Sequence, residues 1–372
     1  MKKILITGGA GFIGSHLADE LLNNGYHLRI IDNLNPQVHG YIDKPPHYLS
    51  KDAEFIYGDV RNPQIVNSAL KGIDAVFHLA AAVGVGQSMY EIEKYTSNNS
   101  LGTAVLCQCI IDNHQDISKF IVASSMSIYG EGQYINNNHQ IVGNAKRTLE
   151  QLKKYIWEPF DTDGTPLQPI PTNENKQPDL TSIYALTKYD QERMCIIMGN
   201  AYNIPTVALR FFNVYGTRQS LSNPYTGVLA IFASRLLNGN TPLVFEDGNQ
   251  KRDFINVKDI ARACRLVLEN PITRDKIYNI GSGNCYTIKE IAELLSSVLN
   301  KNIEPVITRK YRVGDIRHCF ADIRHANSEL GFSPQINLEQ GLTELSQWLA
   351  EQISTDEFEK ASQQLIQRGL TI

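Results

Sequence analysis

Tyr184 and Lys188 stand four residues apart in the run Tyr184-Ala185-Leu186-Thr187-Lys188, near the middle of a 372-residue chain. On a helix that spacing puts both side chains on one face, where an ammonium beneath a phenol favours the ionised form. A free phenol titrates near ~10, and lowering that by roughly 3 units takes about 4 kcal/mol of differential stabilisation. One cation at short range supplies much of it, which makes the tyrosine a candidate base for a hydroxyl proton. The spacing recurs in many helices, so its meaning depends on what the flanking elements bring to it.

Those elements begin at the N-terminus. Lys3 to Thr7 reads as a short apolar strand that runs into Gly8-Gly9-Ala10-Gly11-Phe12-Ile13-Gly14, followed by a helical pattern from Ser15 to Asn24. Strand, glycines and helix in that order form a cradle for a pyrophosphate. Gly8 permits the tight turn, Gly11 lets the backbone approach the anion, and Gly14 lets helix and strand pack closely. A second strand, Leu28 to Ile31, ends in Asp32, near the ~20-residue offset at which a carboxylate binds an adenosine ribose. A carboxylate there accepts from a 2′-hydroxyl and repels a 2′-phosphate, which favours NAD over NADP.

The alternation continues with a strand at Glu54 to Tyr57, a helix at Pro63 to Leu70, an apolar strand at Ala75 to Leu79, a helix at Asn99 to Asp112 and a strand at Lys119 to Ala123. Such alternation predicts an α/β protein with a Rossmann-type doubly wound parallel sheet. Ligands bind such sheets at the carboxyl ends of the strands, where Asp59 and Ser125 fall.

The bulk composition narrows the class. The length exceeds the roughly 250 to 300 residues at which a single core stops growing, which predicts two packed domains. Lys plus Arg number 35 against 39 Asp plus Glu, with no basic stretch longer than a pair, which argues against nucleic acid. No apolar run reaches the ~18 residues of a membrane span, and Ile4-Leu5-Ile6 is too short for a signal-peptide core. Six scattered cysteines without a Cys-x-x-Cys pair suit free thiols in the cytoplasm rather than disulfides or a metal site.

Taken together, the motifs resemble the extended short-chain dehydrogenase/reductase superfamily, in its nucleotide-sugar epimerase and dehydratase branch. The matches are Thr7 to Gly14, Asp32-Asn33, Gly58-Asp59-Val60, His78-Leu79-Ala80-Ala81, Asn99 before Gly102-Thr103, Ser124-Ser125 ahead of Tyr129-Gly130, Tyr184 with Lys188, Arg210 to Gly216, and Arg252-Asp253-Phe254. The resemblance implies Tyr184 as base, Lys188 as its electrostatic partner and Ser125 as a hydroxyl bonded to the sugar oxygen. It implies NAD held by Gly8, Gly11, Phe12, Ile13, Gly14, Asp32, Asn33, Asp59, Val60, Leu79, Ala80, Ala81 and Asn99, together with Tyr184 and Lys188. It places a nucleotide-diphosphate sugar against Ser88, Ser125, Met126, Asn213, Arg252, Arg312 and Asp315, the arginines clamping the diphosphate. It also implies a homodimer formed through the Tyr184 helix and the Asn99 helix.

Members of the branch that eliminate or decarboxylate resemble one another in carrying a Glu or Asp-Glu between the serine or threonine and the Tyr-Gly. This chain has Met126-Ser127-Ile128 there. The remaining cycle is oxidation, rotation of the keto sugar and reduction from its other face, an epimerisation at C4. A reductase, a 4,6-dehydratase and a non-catalytic NAD-binding sensor are the alternatives; a sensor would be expected to lose Tyr184 or Lys188. The stretches Asn35 to Gly40, Ala81 to Ser88 and Ser125 to Gly132 resemble the dTDP-L-rhamnose 4-epimerases, with UDP-hexose or UDP-uronic acid as alternative substrates.

These readings divide the chain into an NAD-binding domain over 1–210 with an insert at about 132–179, and a smaller α/β substrate-binding part over 211–353, some of whose segments return to the first domain. A helical tail follows over 354–372. The insert is polar and irregular, with a short helical pattern from Lys146 to Tyr155, and reads equally as a mobile lid or a fixed ornament. The tail shows no evident chemistry.

Overall fold

The computed structural model describes residues 2–113 and 116–371. Seven strands form one parallel sheet: β1 (Lys3–Thr7), β2 (His27–Asp32), β3 (Glu54–Tyr57), β4 (Ala75–His78), β5 (Lys119–Ser125), β6 (Thr206–Phe211) and β7 (Lys276–Ile280), in the order β7-β6-β5-β4-β1-β2-β3. The order reverses between β1 and β4, the switch point at which such sheets open a crevice at their carboxyl ends. Register brings Thr7 opposite both Ile31 and His78, so the glycine loop, Asp32 and the Leu79–Ala81 loop leave the sheet side by side.

Both faces of the sheet are covered, which is why its inner strands carry apolar runs such as Ile4-Leu5-Ile6 and Ala75-Val76-Phe77 rather than alternating. On one face α1 (Phe12–Asn23) packs with α5 (Val257–Glu269) over Ile4, Ile6, Ile30 and Phe77. On the other, α2 (Pro63–Leu70), α3 (Gly102–Asp112) and α4 (Ile183–Tyr202) cover Leu5, Val76, Phe120 and Val122. A third core, around Phe232, Leu236, Ile291, Leu295 and Leu345, belongs to the second half. Among the described residues, no helix is long and apolar enough to cross a membrane.

Several expectations are refined. α1 starts at Phe12 rather than Ser15, because Gly11 serves as its N-cap. The Asn99 helix is preceded by a π-helical turn, Thr96–Leu101, that places Asn99 in the interior. Strand β7, late in the chain, joins the main sheet beside β6. The insert is ordered: Gln133–Ile135, Ile141–Val142 and Gln168–Ile170 form an antiparallel sheet over Tyr134, Ala145 and Leu167. Its helix shrinks to Leu149–Lys153.

The insert is fastened rather than free. Buried Arg147 pairs with Glu131 at 3.2 Å and Glu246 at 2.7 Å, and donates to the Asp315 carbonyl at 2.9 Å. Glu158 accepts from Arg317 Nε at 3.0 Å and pairs with His318 at 2.8 Å, while Arg317 also engages Glu246 and Asp247. A buried pair adds little net stability but is costly to break from one side, so the network fixes register between insert and substrate half.

At the end of β4, buried His78 shows how tightly the switch point is specified. Thr103 spends its hydroxyl proton on the Asn99 carbonyl, so His78 Nε2–H donates to Thr103 Oγ at 2.8 Å. Nδ1 then accepts from the Thr7 hydroxyl at 2.7 Å, and the ring is neutral. Burial pushes this histidine down to about 3, with the Lys188 charge acting in the same direction. Between about 3 and its ordinary 6.5 the unfolded chain binds a proton that the folded chain refuses. Stability is therefore complete above that window and declines as pH falls through it, by at most about 1.4 kcal/mol per pH unit for this group. His78→Gln is expected to flatten the decline: denaturation midpoints at pH 7 and pH 5.5 should differ less in the variant than in the native protein. Equal differences would relieve His78 of that role.

Candidate active site

The site is built where β1, β4, β5 and α4 converge. At Gly8, with φ of 70°, an added Cβ would lie 2.8 Å from the Ala80 nitrogen, so the glycine lets the β1 and β4 loops touch. At Gly14 a Cβ would meet the Gly8 carbonyl and lie 2.6 Å from the Gly9 Cα. Gly11 differs. Its φ of −72° suits any residue, and a Cβ there would meet only the Gly8 oxygen, at 3.3 Å. A Cβ at 11 is therefore only mildly crowded by the protein itself, which leaves the position open on its other side.

The first turn of α1 has no side-chain cap and no acidic residue, so the N–H groups of Phe12, Ile13 and Gly14 present their partial positive charge to that opening. Asp32 is buried at the tip of β2 and accepts from the Ala10 nitrogen at 3.0 Å and the Leu34 nitrogen at 2.9 Å. Burial pushes its carboxyl up, and these N–H bonds and nearby His39 oppose that. Asp59 is tied to Asn33 at 3.1 Å and to Arg61 at 2.7 Å, and the Arg61 bond holds it down to about 2. An open glycine backbone, an uncapped helix N-terminus and a fixed carboxylate fit NAD, with Val60, Leu79, Ala80 and Ala81 on the neighbouring loops.

Ser125 ends β5 and caps a short 3-10 turn, Met126–Tyr129. Its Oγ accepts from the Ser127 nitrogen at 3.2 Å and the Ser127 hydroxyl at 2.9 Å, and its hydroxyl acts on the Tyr184 phenol by opposing the upward shift that burial imposes. Ser127 is thus a site residue that motif reading missed; the serine two places on, in a turn after a strand, was its only signal. Met126 is buried beside Phe212 and Tyr129.

Lys188 Nζ donates to the Ala123 carbonyl and to Gln191 Oε1 at 2.9 Å, anchoring α4 to β5. Burial pushes the lysine down to about 8. It also pushes the Tyr184 phenol up to about 12, with the Ser125 hydroxyl as the opposing influence. Desolvation is thus the largest influence on both groups.

Three other residues of the expected site also brace the fold. Ser88 is fully buried; its Oγ accepts from the Tyr184 nitrogen at 2.9 Å and donates to the Val85 carbonyl, so it seats α4. Asn99 spends its amide on Ala82, at 2.7 Å and 3.1 Å, and on Thr187 at 2.9 Å, bracing the β4 loop against α4. Arg252 gives both Nη atoms to the carbonyls of Lys251, Ile316 and Arg317, leaving its Nε–H and one Nη2–H.

Arg312 pairs with Asp315 at 2.9 Å and lies over Phe245, while Asn213 donates to the Asp253 carbonyl at 3.0 Å. Beneath the site runs a buried chain that the motifs did not reveal: Ser124 to Glu192 at 2.6 Å, Glu192 to Arg210 at 2.7 Å, Arg210 to Tyr129 at 2.8 Å and Tyr129 to Asn279 at 2.7 Å. It joins β5, α4, β6 and β7.

A parallel sheet with this glycine loop and a Ser-Tyr-Lys cluster at its carboxyl edge defines an NAD-dependent enzyme. The chain belongs to the NAD dependent epimerase/dehydratase family, whose model matches residues 4–281. It is 33% identical to a dTDP-L-rhamnose 4-epimerase of Burkholderia thailandensis, over 95% of this chain and 96% of that protein. It superposes with a TM-score of 0.76 on the UDP-glucose 4-epimerase of Thermotoga maritima with UDP-glucose, at 30% identity over 94% and 99% of the two chains. With the UDP-glucuronic acid 4-epimerase of Bacillus cereus in complex with UDP-glucuronic acid and NAD, the TM-score is 0.74 at 28% identity over 94% and 99%.

Gly11→Ala is expected to keep the thermal midpoint within about 2 °C while weakening NAD binding at least about tenfold. Gly14→Ala should instead unfold the loop. Calorimetry and cofactor titration separate the two; unchanged NAD affinity in Gly11→Ala would overturn the assignment of the cradle.

Proposed function

We propose that the protein is a nucleotide-sugar 4-epimerase whose substrate is dTDP-L-rhamnose or a closely related 6-deoxy sugar on a nucleoside diphosphate. The observation that carries this reading is the composition of the cluster around Tyr184. Among the described residues, hydroxyls and backbone groups bond to Ser125, Ser127 and Tyr184, and no carboxylate does. Elimination or decarboxylation at a neighbouring carbon calls for such an acid or base; a reversible oxidation does not.

In this reading the Ser125 and Ser127 hydroxyls hold the C4 oxygen and Tyr184 Oη takes its proton and later returns it. Lys188 holds α4 in register with β5 so that the phenol faces Ser125. Bound NAD supplies the hydride acceptor and donor. Because the phenol rests at about 12, it is protonated near neutral pH and must be activated within the complex. Arg312, Arg252 and Asn213 are the groups offered to the diphosphate. Apolar Val85 and Met126 suit a sugar that lacks the 6-hydroxyl, and the Burkholderia relative supports dTDP-L-rhamnose over UDP-hexoses.

Incubation of the protein with dTDP-L-rhamnose in deuterated water, without added cofactor, is expected to yield the C4 epimer with no deuterium at carbon. Deuterium at C5, or a dehydrated product, would sink the epimerase reading. Tyr184→Phe should retain NAD and lower turnover by roughly 10²- to 10⁴-fold.

We also propose a homodimer. Leu101, Leu186 and Ile197 are exposed on the π-helical turn and α4, which pack against each other, and exposed apolar residues on adjoining helices suit a partner copy. Ile197→Glu is expected to convert a dimer to a monomer in sedimentation velocity. A native protein that sediments as a monomer would refute the pairing.

A further inference from the structure

We propose that the C-terminal segment is a wall of the substrate site and that Gln364 is its positioning residue. This rests on the nucleotide-sugar reading, but the segment lies outside residues 4–281 matched by the family model. Helix α6 (Phe358–Gln367) buries Ala361 and Leu365. Its Gln364 Oε1 lies 2.9 Å from the Tyr90 hydroxyl and 2.7 Å from the Tyr225 hydroxyl, which are 2.6 Å apart. The two phenol protons serve these three contacts, so Oε1 accepts from one phenol while the other phenol donates either to its neighbour or to Oε1 as well. One amide oxygen thereby joins the loop after β4 to the loop after Tyr215. Arg368 lies over the Tyr90 ring at 4.3 Å, closing the contact from the other side.

The same segment reaches the candidate diphosphate loop. The Leu370 carbonyl accepts from the Val313 nitrogen at 2.9 Å, and Thr371 bridges Arg312. Leu365 packs where Gly86 has no side chain; a Cβ there would lie 3.4 Å from both Leu365 methyls. Val85, Met89, Arg312, Val313, Leu365 and Leu370 consequently line one narrow cleft of about 10 Å³, with the Arg312 guanidinium and the Asp315 carboxylate at its edge. The segment thereby holds the candidate diphosphate loop against the Val85–Tyr90 loop rather than enclosing the sugar by itself.

The connection to the reacting groups is short. Tyr90 is two residues beyond Ser88, whose hydroxyl seats the Tyr184 nitrogen. Removing the Gln364 oxygen leaves the two phenols with only each other as partners and releases the Val85–Tyr90 loop from the second half. Among the described residues, no hydrogen bond or ion pair joins the segment to the candidate cofactor groups after β1, β2 and β3, so its loss should be felt by the sugar nucleotide and not by NAD.

The test uses the full-length protein with Gln364→Leu, with Gln364→Glu, which keeps an acceptor oxygen, and with a truncation after Glu357. Gln364→Leu is expected to raise KM for dTDP-L-rhamnose about tenfold with kcat within about threefold. Retained NAD and the thermal midpoint should match the native protein, and Gln364→Glu should recover most of the KM. Truncation should raise KM further. An unchanged KM in both Gln364→Leu and the truncated protein would overturn the proposal. So would a KM change that comes with parallel losses of NAD and thermal stability. If the native protein holds NAD but neither binds nor turns over dTDP-L-rhamnose, UDP-glucose or UDP-glucuronic acid, the functional reading itself fails, and this proposal with it.

Discussion

The phenol of Tyr184 can face Ser125 only because α4 is locked to the carboxyl edge of β5. The lock is a set of hydrogen bonds that use side chains a motif search would assign to ligands. Lys188 grips the Ala123 carbonyl, Ser88 satisfies the Tyr184 nitrogen, and Asn99 bridges Ala82 to Thr187. Each of these groups is buried and each bond spans two elements, so the reacting cluster inherits the rigidity of the sheet. A site that must hold atoms to within about half an ångström is better built this way than on loops alone.

Much of that was legible in the sequence, and the reasons are local. The glycine loop, Asp32 and the alternation of strands and helices depend on backbone rules acting over a few residues. Elements such as Glu54–Tyr57 and Pro63–Leu70 appear with the bounds expected of them. What escaped depends on pairs brought together by the fold. Gln364 meets Tyr90 and Tyr225, and Arg147 meets Glu246, across separations over which no periodicity speaks. The behaviour of Tyr184 escaped for another reason: an i,i+4 spacing says which face a lysine shares, but not that a carbonyl on the next strand will claim its ammonium.

The insert illustrates the same limit from the side of electrostatics. Its composition is that of a polar surface loop, yet Arg147 and Glu158 place their charges against Glu131, Glu246, Arg317 and His318 in the interior. Burial of so many charges is tolerated only when each finds an opposite partner, so the residues of the insert and those of the substrate half constrain one another. Exchange of either portion for a foreign one would strand charges on the other.

The return of β7 to the main sheet bears on how the molecule is made. Helix α5 and strand β7 come after the first parts of the second half, yet they cover α1 and complete the sheet beside β6. During synthesis, at roughly 5 to 20 residues per second, the apolar surface of Ile4, Ile6, Leu17 and Leu21 waits roughly 10 to 50 s for the segment that buries it. Until that segment emerges, this face of α1 and β1 lacks the cover it has in the complete fold.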